Sequence, residues 1–514
     1  MRLTDFVSHA DALRHFSKPA LWDLFDGDRD HLNLTHECLD RHAGKGRAVR
    51  IAFADGRDES YTFDELSRWA SRFAHYLQRS GIEKGDRVAI LLEPSLPFYV
   101  ALFGSMKMGA VAVPMFTLFG SDALAMRLDD CTPRLLVTTP EKAEYVRGRK
   151  GLQIALGDQD LLDQIAGLPG SFEPQTSSND MAMYQYTSGT TRELPEAVKH
   201  RHRAVVTVMI AALYGTGVRP GDRFCCPSSP AWGHGLWHGT LGPLALGVEI
   251  TAWSGPFDPE RFLQVLSDYE ITNLSAAATH YRMMKNSGAA GRHQYTLEKL
   301  TFTGEPIDTD TAQFAERTFG SAVRSIYGTT EVGVILACYP GAPDLPMKAG
   351  SLGKPVPGVE LAVHDPQGRD CAPGQTGEIM VRRGDGWFPT KDLGTIDDDG
   401  YFYHGGRADD VIISAGWTLS AVEIEDALLK HPAVNEIAVI GVPDEVRGQV
   451  VKAFVVSGSP ASRELEEDLQ AFTRERLGQH EYPRIVVFVD ELPKTPAGKV
   501  NRKVLRDRER AQQA

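Results

Sequence analysis

Met181-Ala182-Met183-Tyr184-Gln185-Tyr186-Thr187-Ser188-Gly189-Thr190-Thr191-Arg192-Glu193-Leu194-Pro195-Glu196-Ala197-Val198 is the stretch from which the rest of the chain is read. Its first six residues form a short, largely apolar strand, and Val198–His202 leads into an apolar helix reaching about Leu213. Between them Thr187, Ser188, Thr190 and Thr191 set four hydroxyls around Gly189. Hydroxyls and exposed backbone N–H groups in such a turn make a concave set of donors suited to phosphate oxygens. A plain turn has the same composition, so the stretch needs support from elsewhere. It is not a Walker loop, because no Gly-Lys-Ser/Thr ending supplies a lysine and a magnesium-binding hydroxyl.

With 514 residues the chain is too long for one hydrophobic core, and at least two domains are expected. A net charge of −13 argues against general nucleic-acid binding, which needs a basic face. It also means that an anionic substrate must be drawn by local positive charge. The six cysteines show no metal spacing and read as reduced thiols of a cytoplasmic protein. The first residues carry no apolar signal segment. The most apolar window, Phe98–Phe119, contains Lys107, glycines and prolines, and reads as buried core, not a membrane span.

Upstream of the opening stretch, Ala48–Phe53 reads as a strand. Thr62 and Glu65 form a capping box for a helix whose Leu66, Trp69, Phe73 and Leu77 face the core. Gly81 ends that helix. Arg87–Leu92, a helix over Pro97–Met108, Gly109–Pro114 and Arg134–Thr138 continue a strand–helix alternation. That rhythm predicts an α/β fold with a mostly parallel sheet and a ligand site at the strands' carboxyl ends. Downstream, Ser228–Gly239 is rich in glycine, histidine and aromatics. His234 and His238 are spaced like a metal pair but lack a third ligand, and hydrogen-bonded pocket histidines are the expectation.

Further motifs follow in order. Thr303-Gly304-Glu305-Pro306 and Tyr327-Gly328-Thr329-Thr330-Glu331 each follow an apolar strand. Glycines allow a flat base to approach the backbone, and an aromatic offers a stacking face. Glu331 is a hard oxygen ligand suited to magnesium beside phosphates. Thr390-Lys391-Asp392 supplies a carboxylate able to accept two hydroxyls. Gly406-Arg407-Ala408-Asp409-Asp410, Ser414-Ala415-Gly416-Trp417 and Pro493–Lys503 complete the series. Prolines and Gly498 make an exposed loop that presents the compact ammonium of Lys499.

Together these stretches resemble the adenylate-forming enzymes, the superfamily of acyl-CoA synthetases, peptide-synthetase adenylation domains and luciferases, over about residues 30–506. There are departures. The family's phosphate loop reads Thr-Ser-Gly-Thr-Thr-Gly, one residue, then Pro-Lys-Gly-Val; here Arg192, Glu196 and Ala197 replace glycine, lysine and glycine, with one extra residue between. Lys391 replaces the glycine of Thr-Gly-Asp.

The resemblance implies a large N-terminal domain (1–408) of two sheet-and-helix subdomains plus a small β-barrel, and a small mobile α+β C-terminal domain (409–514). It implies an ATP-dependent carboxylate–CoA ligase using Mg²⁺ and coenzyme A: the acid and ATP give acyl-AMP and pyrophosphate, and the CoA thiol then displaces AMP. Thr187, Ser188, Gly189, Thr190, Thr191, Gly304, Glu305, Pro306, Tyr327, Gly328, Thr329, Thr330, Asp392 and Arg407 would bind ATP or AMP. Lys499, Thr190 and Glu331 would be catalytic, with Glu331 holding Mg²⁺ and Asp409 acting as hinge between half-reactions. Trp232, Gly233, His234 and Trp237 would line a pocket for a medium-chain, alicyclic or aromatic carboxylic acid, and Ala415, Gly416 and Trp417 would carry CoA. A homodimer is compatible with this reading. The alternatives are a ligase that loads a carrier protein, with the same ATP motifs, or a catalytically impaired binding relative.

Overall fold

The computed structural model describes all residues except 187–196, 305, 330–331, 408–410, 415–416, 445–447, 478–481, 496–497 and 514. Of the expected site, Thr187 to Thr191, Glu305, Thr330, Glu331, Asp409, Ala415 and Gly416 lie outside the described residues, as do the side chains of Arg407 and Trp417. The chain divides into two compact units, one of Met1–Met347 with Pro355–Gly358, the other of Lys348–Lys354 with Val359–Ala514. The expected domain boundary at 408–409 falls outside the described residues.

The first unit carries two sheets. One runs, in spatial order, Gly333–Ala337, Val323–Thr329, Lys299–Thr303, Asn273–Ala277, Arg223–Cys226, Glu249–Ser254, Arg47–Phe53 and Asp58–Thr62. The six inner strands are parallel and the two outer ones antiparallel. The second runs Gln153–Leu156, Leu135–Thr138, Arg87–Leu91, Val111–Pro114, Met181–Gln185 and Val198–Arg201, parallel except for the last strand. Burial on both faces explains the near-continuous apolar runs of the inner strands.

The helix Phe63–Arg79 starts as its sequence dictates. Thr62 Oγ1 accepts the Glu65 N–H at 3.2 Å, and a Glu65 carboxylate oxygen accepts the Thr62 N–H at 2.8 Å. Such a cap contributes about 1 kcal/mol. Leu66, Phe73 and Leu77 are buried. Trp69, expected beside them, is only half-buried, with the Arg72 guanidinium 4.8 Å from its ring. The helix Leu96–Met108 is buried throughout, Lys107 included. That lysine donates to Asp40 at 2.9 Å and Ser71 at 2.8 Å, which is how an ammonium sits in so apolar a segment. Among the described residues no helix is long and apolar enough to cross a membrane.

The expected helix begins at Ala204, and the Val198–Arg201 segment that leads into it is a strand paired antiparallel with Met181–Gln185. Val-Lys-His-Arg lacks the apolar signal of a strand and takes that form from its partner's open edge.

In the second unit, Leu361–His364, Gly377–Arg383, Gly386–Ile396, Phe402–Arg407 and Ser351–Pro355 form an antiparallel series. A separate sheet joins Trp417–Ser420, Val411–Ser414, Gly448–Ser457 and Val434–Asp444, with Ile485–Phe488 parallel to Gly448–Ser457. Its central strands alternate faces. Val439, Val451 and Val455 pack with Ile424 and Leu469 of two helices, and Ile440, Val442, Val450 and Phe454 with Leu492 and Leu505. The helix Ala421–Leu428 begins where Trp417–Ser420 ends, and that strand closes a hairpin with Val411–Ser414.

Candidate active site

The strand order of the first unit brings several of the expected residues to the carboxyl ends of its parallel strands. Gly304 follows Lys299–Thr303, Tyr327 to Thr329 end Val323–Thr329, and the aromatic segment follows Arg223–Cys226. Such ends are where open α/β sheets hold ligands. Gly304 has φ +95°, a conformation that requires glycine at little cost. Gly328 has another constraint. A Cβ there would lie 1.9 Å from the carbonyl oxygen of Gly333 on the neighbouring strand. Its missing side chain is demanded by the chain's own backbone at an irregular register between Tyr327 and Gly328.

The aromatic segment is fixed by polar contacts that motif reading did not anticipate. His234 is buried, with Nδ1 2.9 Å from Ser228 Oγ and Nε2 2.8 Å from Ser275 Oγ. Both ring nitrogens therefore lie within hydrogen-bonding distance of a serine hydroxyl, and the imidazole is a buried, hydrogen-bonded histidine. Trp237 Nε1–H donates to Gln185 Oε1 at 3.1 Å, joining the end of a strand in one sheet to the aromatic segment of the other. The Trp237 ring lies 4.8 Å from that of His200, and Trp232 lies edge-on to His234 at 5.2 Å. Notional Cβ atoms at Gly235 and Gly239 would meet Ser229 O at 2.2 Å and Cys226 Sγ at 2.8 Å. His238 Nδ1 is buried without a hydrogen-bond partner among the described residues, and burial lowers its pKa to about 4.

The described residues on either side of 187–196 share one carboxylate. The Tyr186 hydroxyl donates to Asp130 Oδ2 at 2.6 Å, and the Ala197 N–H reaches the same oxygen at 3.2 Å. Asp130 and Gln185 are thus residues that motif reading missed. A buried glutamine ending an apolar strand was a usable signal; an aspartate on a helix 56 residues before Tyr186 was not.

In the second unit, Asp392 and Arg407 stand directly opposite each other across antiparallel strands. Asp392 is 4% exposed, and His404 Nε2 lies 3.8 Å from its Oδ1. Its N–H is held by Thr390 Oγ1 at 3.2 Å, and that hydroxyl donates to Ile379 O at 2.7 Å. Lys391, standing where the resemblance expects glycine, has φ +63°, so the left-handed backbone is kept without the residue that favours it. Lys499 sits on a short hairpin closed by a bridge between Lys494 and Val500.

Residues 39–389 match the AMP-binding enzyme family and residues 423–499 the AMP-binding enzyme C-terminal domain. The acetyl-coenzyme A synthetase of Bacillus subtilis is 31% identical over 97% of this chain and 94% of its own. The crystal structure of a Brucella canis acyl-CoA synthetase superposes with a TM-score of 0.76 at 30% identity, over 99% of this chain and 100% of that one. An anthranilate CoA ligase in complex with anthranoyl-AMP gives a TM-score of 0.84 at 26% identity, over 95% and 99% of the two chains. The chain belongs to the AMP-binding enzyme family of the adenylate-forming superfamily. It is an AMP-forming acid–CoA ligase using ATP, Mg²⁺ and CoA.

Proposed function

We propose that the acid is a medium-chain, alicyclic or aromatic carboxylate, activated in the cytoplasm. The observation that carries this reading is the fixed Trp237, 8% exposed, oriented by Gln185 and 4.8 Å from the His200 ring, in the segment after Arg223–Cys226 that also carries Trp232. Rigid indole faces suit a ring or a chain of several carbons, whereas a two-carbon acid offers them little area.

The chemistry assigns roles to the remaining residues. A carboxylate is a poor electrophile, and both it and ATP are anionic. As the carboxylate attacks the α-phosphorus, charge builds on the phosphoryl oxygens and must meet preorganised donors and cations. Lys499 supplies an ammonium and Thr190 a hydroxyl, and Glu331 would hold the Mg²⁺ whose charge offsets that of the phosphates. Asp392 accepts the ribose hydroxyls, Arg407 meets ribose and phosphate, and Tyr327 offers adenine a stacking face, with glycines at 304 and 328 that let the flat base approach the backbone. Residues 415–417 receive the pantetheine arm. AMP is then a good leaving group for the CoA thiol.

The test is pyrophosphate release with acetate, hexanoate, cyclohexanecarboxylate and benzoate, with and without CoA. Turnover of a six-carbon or cyclic acid at least tenfold above acetate is expected. Acetate as the best substrate would overturn the reading, and thioester formed on a carrier protein but not on CoA would favour the carrier-loading alternative. Lys499→Ala should abolish acyl-AMP formation yet leave thioester formation from supplied acyl-AMP largely intact; equal loss in both steps would remove Lys499 from its role.

A further inference from the structure

Lys499 is held tightly to its own hairpin. Thr495 N–H donates to Lys499 O at 2.7 Å, Gly498 N–H to Thr495 O at 2.8 Å, and Asn501 N–H to Pro493 O at 2.7 Å. Lys499 N–H in turn reaches Thr495 Oγ1 at 3.2 Å. These bonds tie the Lys499 backbone to Thr495 and leave open what sets the direction of the residue relative to the sheet. On the entering side, Lys494 pairs with Glu436 at 2.9 Å, but the two side chains are 45% and 43% exposed. Such a pair contributes roughly 0–1 kcal/mol and guides weakly.

The leaving side is built differently. Arg502, three residues past Lys499, opens the helix Arg502–Gln513. Its Nε donates to Glu425 Oε1 at 3.0 Å and its Nη2 bonds Glu425 Oε2. Glu425 lies on the helix Ala421–Leu428, is 7% exposed, and accepts the Val439 N–H at 2.7 Å through the same Oε1. One buried carboxylate therefore locks together a helix, a central strand and the residue that follows the lysine hairpin. Val500 and Leu505 on either side of Arg502 pack with Ile440, Val442, Val450 and Phe454, so apolar contact already holds the segment down.

That last fact gives the ion pair its meaning. A buried pair seldom stabilises more than apolar residues of the same volume, but a forked guanidinium on a carboxylate is directional. We propose that Arg502, through Glu425, is a positioning residue for acyl-AMP formation, setting the reach and direction of the Lys499 ammonium. The inference rests on the role proposed for Lys499.

Arg502→Met, Arg502→Lys and the repacked double variant Glu425→Leu/Arg502→Leu test it, each assayed well below its own unfolding temperature. The readouts are acid-dependent ATP–pyrophosphate exchange and, separately, thioester formation from supplied acyl-AMP and CoA. Misplacing a reacting group by about 1 Å costs on the order of a hundredfold, and that loss is expected in kcat for exchange with Arg502→Met. KM for ATP and acid should stay within about threefold and the second step within about twofold. Arg502→Lys should fall between. The double variant should regain the unfolding temperature without regaining exchange. Exchange restored by the double variant, or both steps falling together in Arg502→Met, would reduce the pair to packing and overturn the proposal. Lys499→Ala runs alongside: if it leaves exchange intact the role of Lys499 fails, whereas if it abolishes exchange and Arg502→Met does not, only this inference fails.

Discussion

Gly328→Ala tests the nucleotide-binding role proposed for the strand pair that carries Tyr327. The added Cβ would stand 1.9 Å from Gly333 O, 2.6 Å from Gly333 C and 2.8 Å from Val334 Cα. All three are backbone atoms, so no flexible side chain can swing away. To reach 3.0 Å, the closest approach such atoms tolerate, the Gly333 carbonyl must withdraw by about 1.1 Å. Overpacking of that kind costs about 1–3 kcal/mol in stability. The larger effect is on geometry, since a displacement near 1 Å at a binding element reduces rate by about a hundredfold. ATP–pyrophosphate exchange at saturating acid should show kcat/KM for ATP down by about that factor, with KM for the acid within about threefold. Gly333→Ala is the matched control. Gly333 has φ +73° but open space within 4 Å of its Cβ position, so its substitution meets a dihedral penalty alone. That penalty is about 1–2 kcal/mol, partly offset by the lower entropy of the unfolded chain, and ATP kinetics should barely move. Wild-type ATP kinetics in Gly328→Ala, or equal damage from both substitutions, would refute the steric account.

Lys391→Gly should raise stability by up to about 1 kcal/mol, since glycine relieves the φ of +63°; a lower urea midpoint would count against it. Asp409→Pro should leave acyl-AMP formation intact while overall turnover collapses, because proline fixes the φ a hinge must change; unchanged steady-state thioester formation would sink the hinge role. Arg192→Ala should raise KM for ATP beyond about tenfold with little change for the acid if its guanidinium replaces the positive charge absent at Glu196; no change would leave the two as a surface pair. Burial lowers the pKa of His42, His200, His202, His238 and His280 to about 4 each. The unfolded chain takes up protons near pH 6.5 that the folded chain refuses, so stability should fall as pH drops from about 6.5 towards 4. A urea midpoint flat across that range would contradict it.

What could be read from the sequence follows from where the information lies. The capping box at Thr62 and the buried helix Leu96–Met108 are written locally, in residue spacing and composition. The strand Val198–Arg201 is not, because its four residues gain their form from pairing with Met181–Gln185. The same holds for the site. Asp392 and Arg407 were recognisable as residue types within motifs, but their meeting depends on a register that shifts between Leu393 and Gly394, which no spacing rule carries. Gln185, Asp130 and Glu425 act by fixing other residues, and such partners carry no motif of their own.

The departures from the family pattern at glycine positions separate along the same physical line. A glycine can be required for its dihedral freedom, for the space its missing Cβ leaves, or for neither. At Lys391 only the dihedral is demanded, and the chain retains the left-handed conformation with a lysine, at about 1–2 kcal/mol. At Ala197, the last family glycine of the phosphate stretch, φ is not among the positive values, the residue is buried, and its N–H is bonded to Asp130. Neither demand operates there, and alanine fits with the lower unfolded-state entropy. At Gly328 the space is filled by a neighbouring strand, and glycine is kept. At the two described positions, Lys391 and Ala197, substitution has thus occurred where the cost is absent or is a dihedral the surroundings can hold, and at Gly328, where it would push one backbone through another, it has not. Loss of a family glycine at Lys391 and Ala197 is therefore no sign of a decayed site, and Asp392, next to the more costly of the two, remains set opposite Arg407.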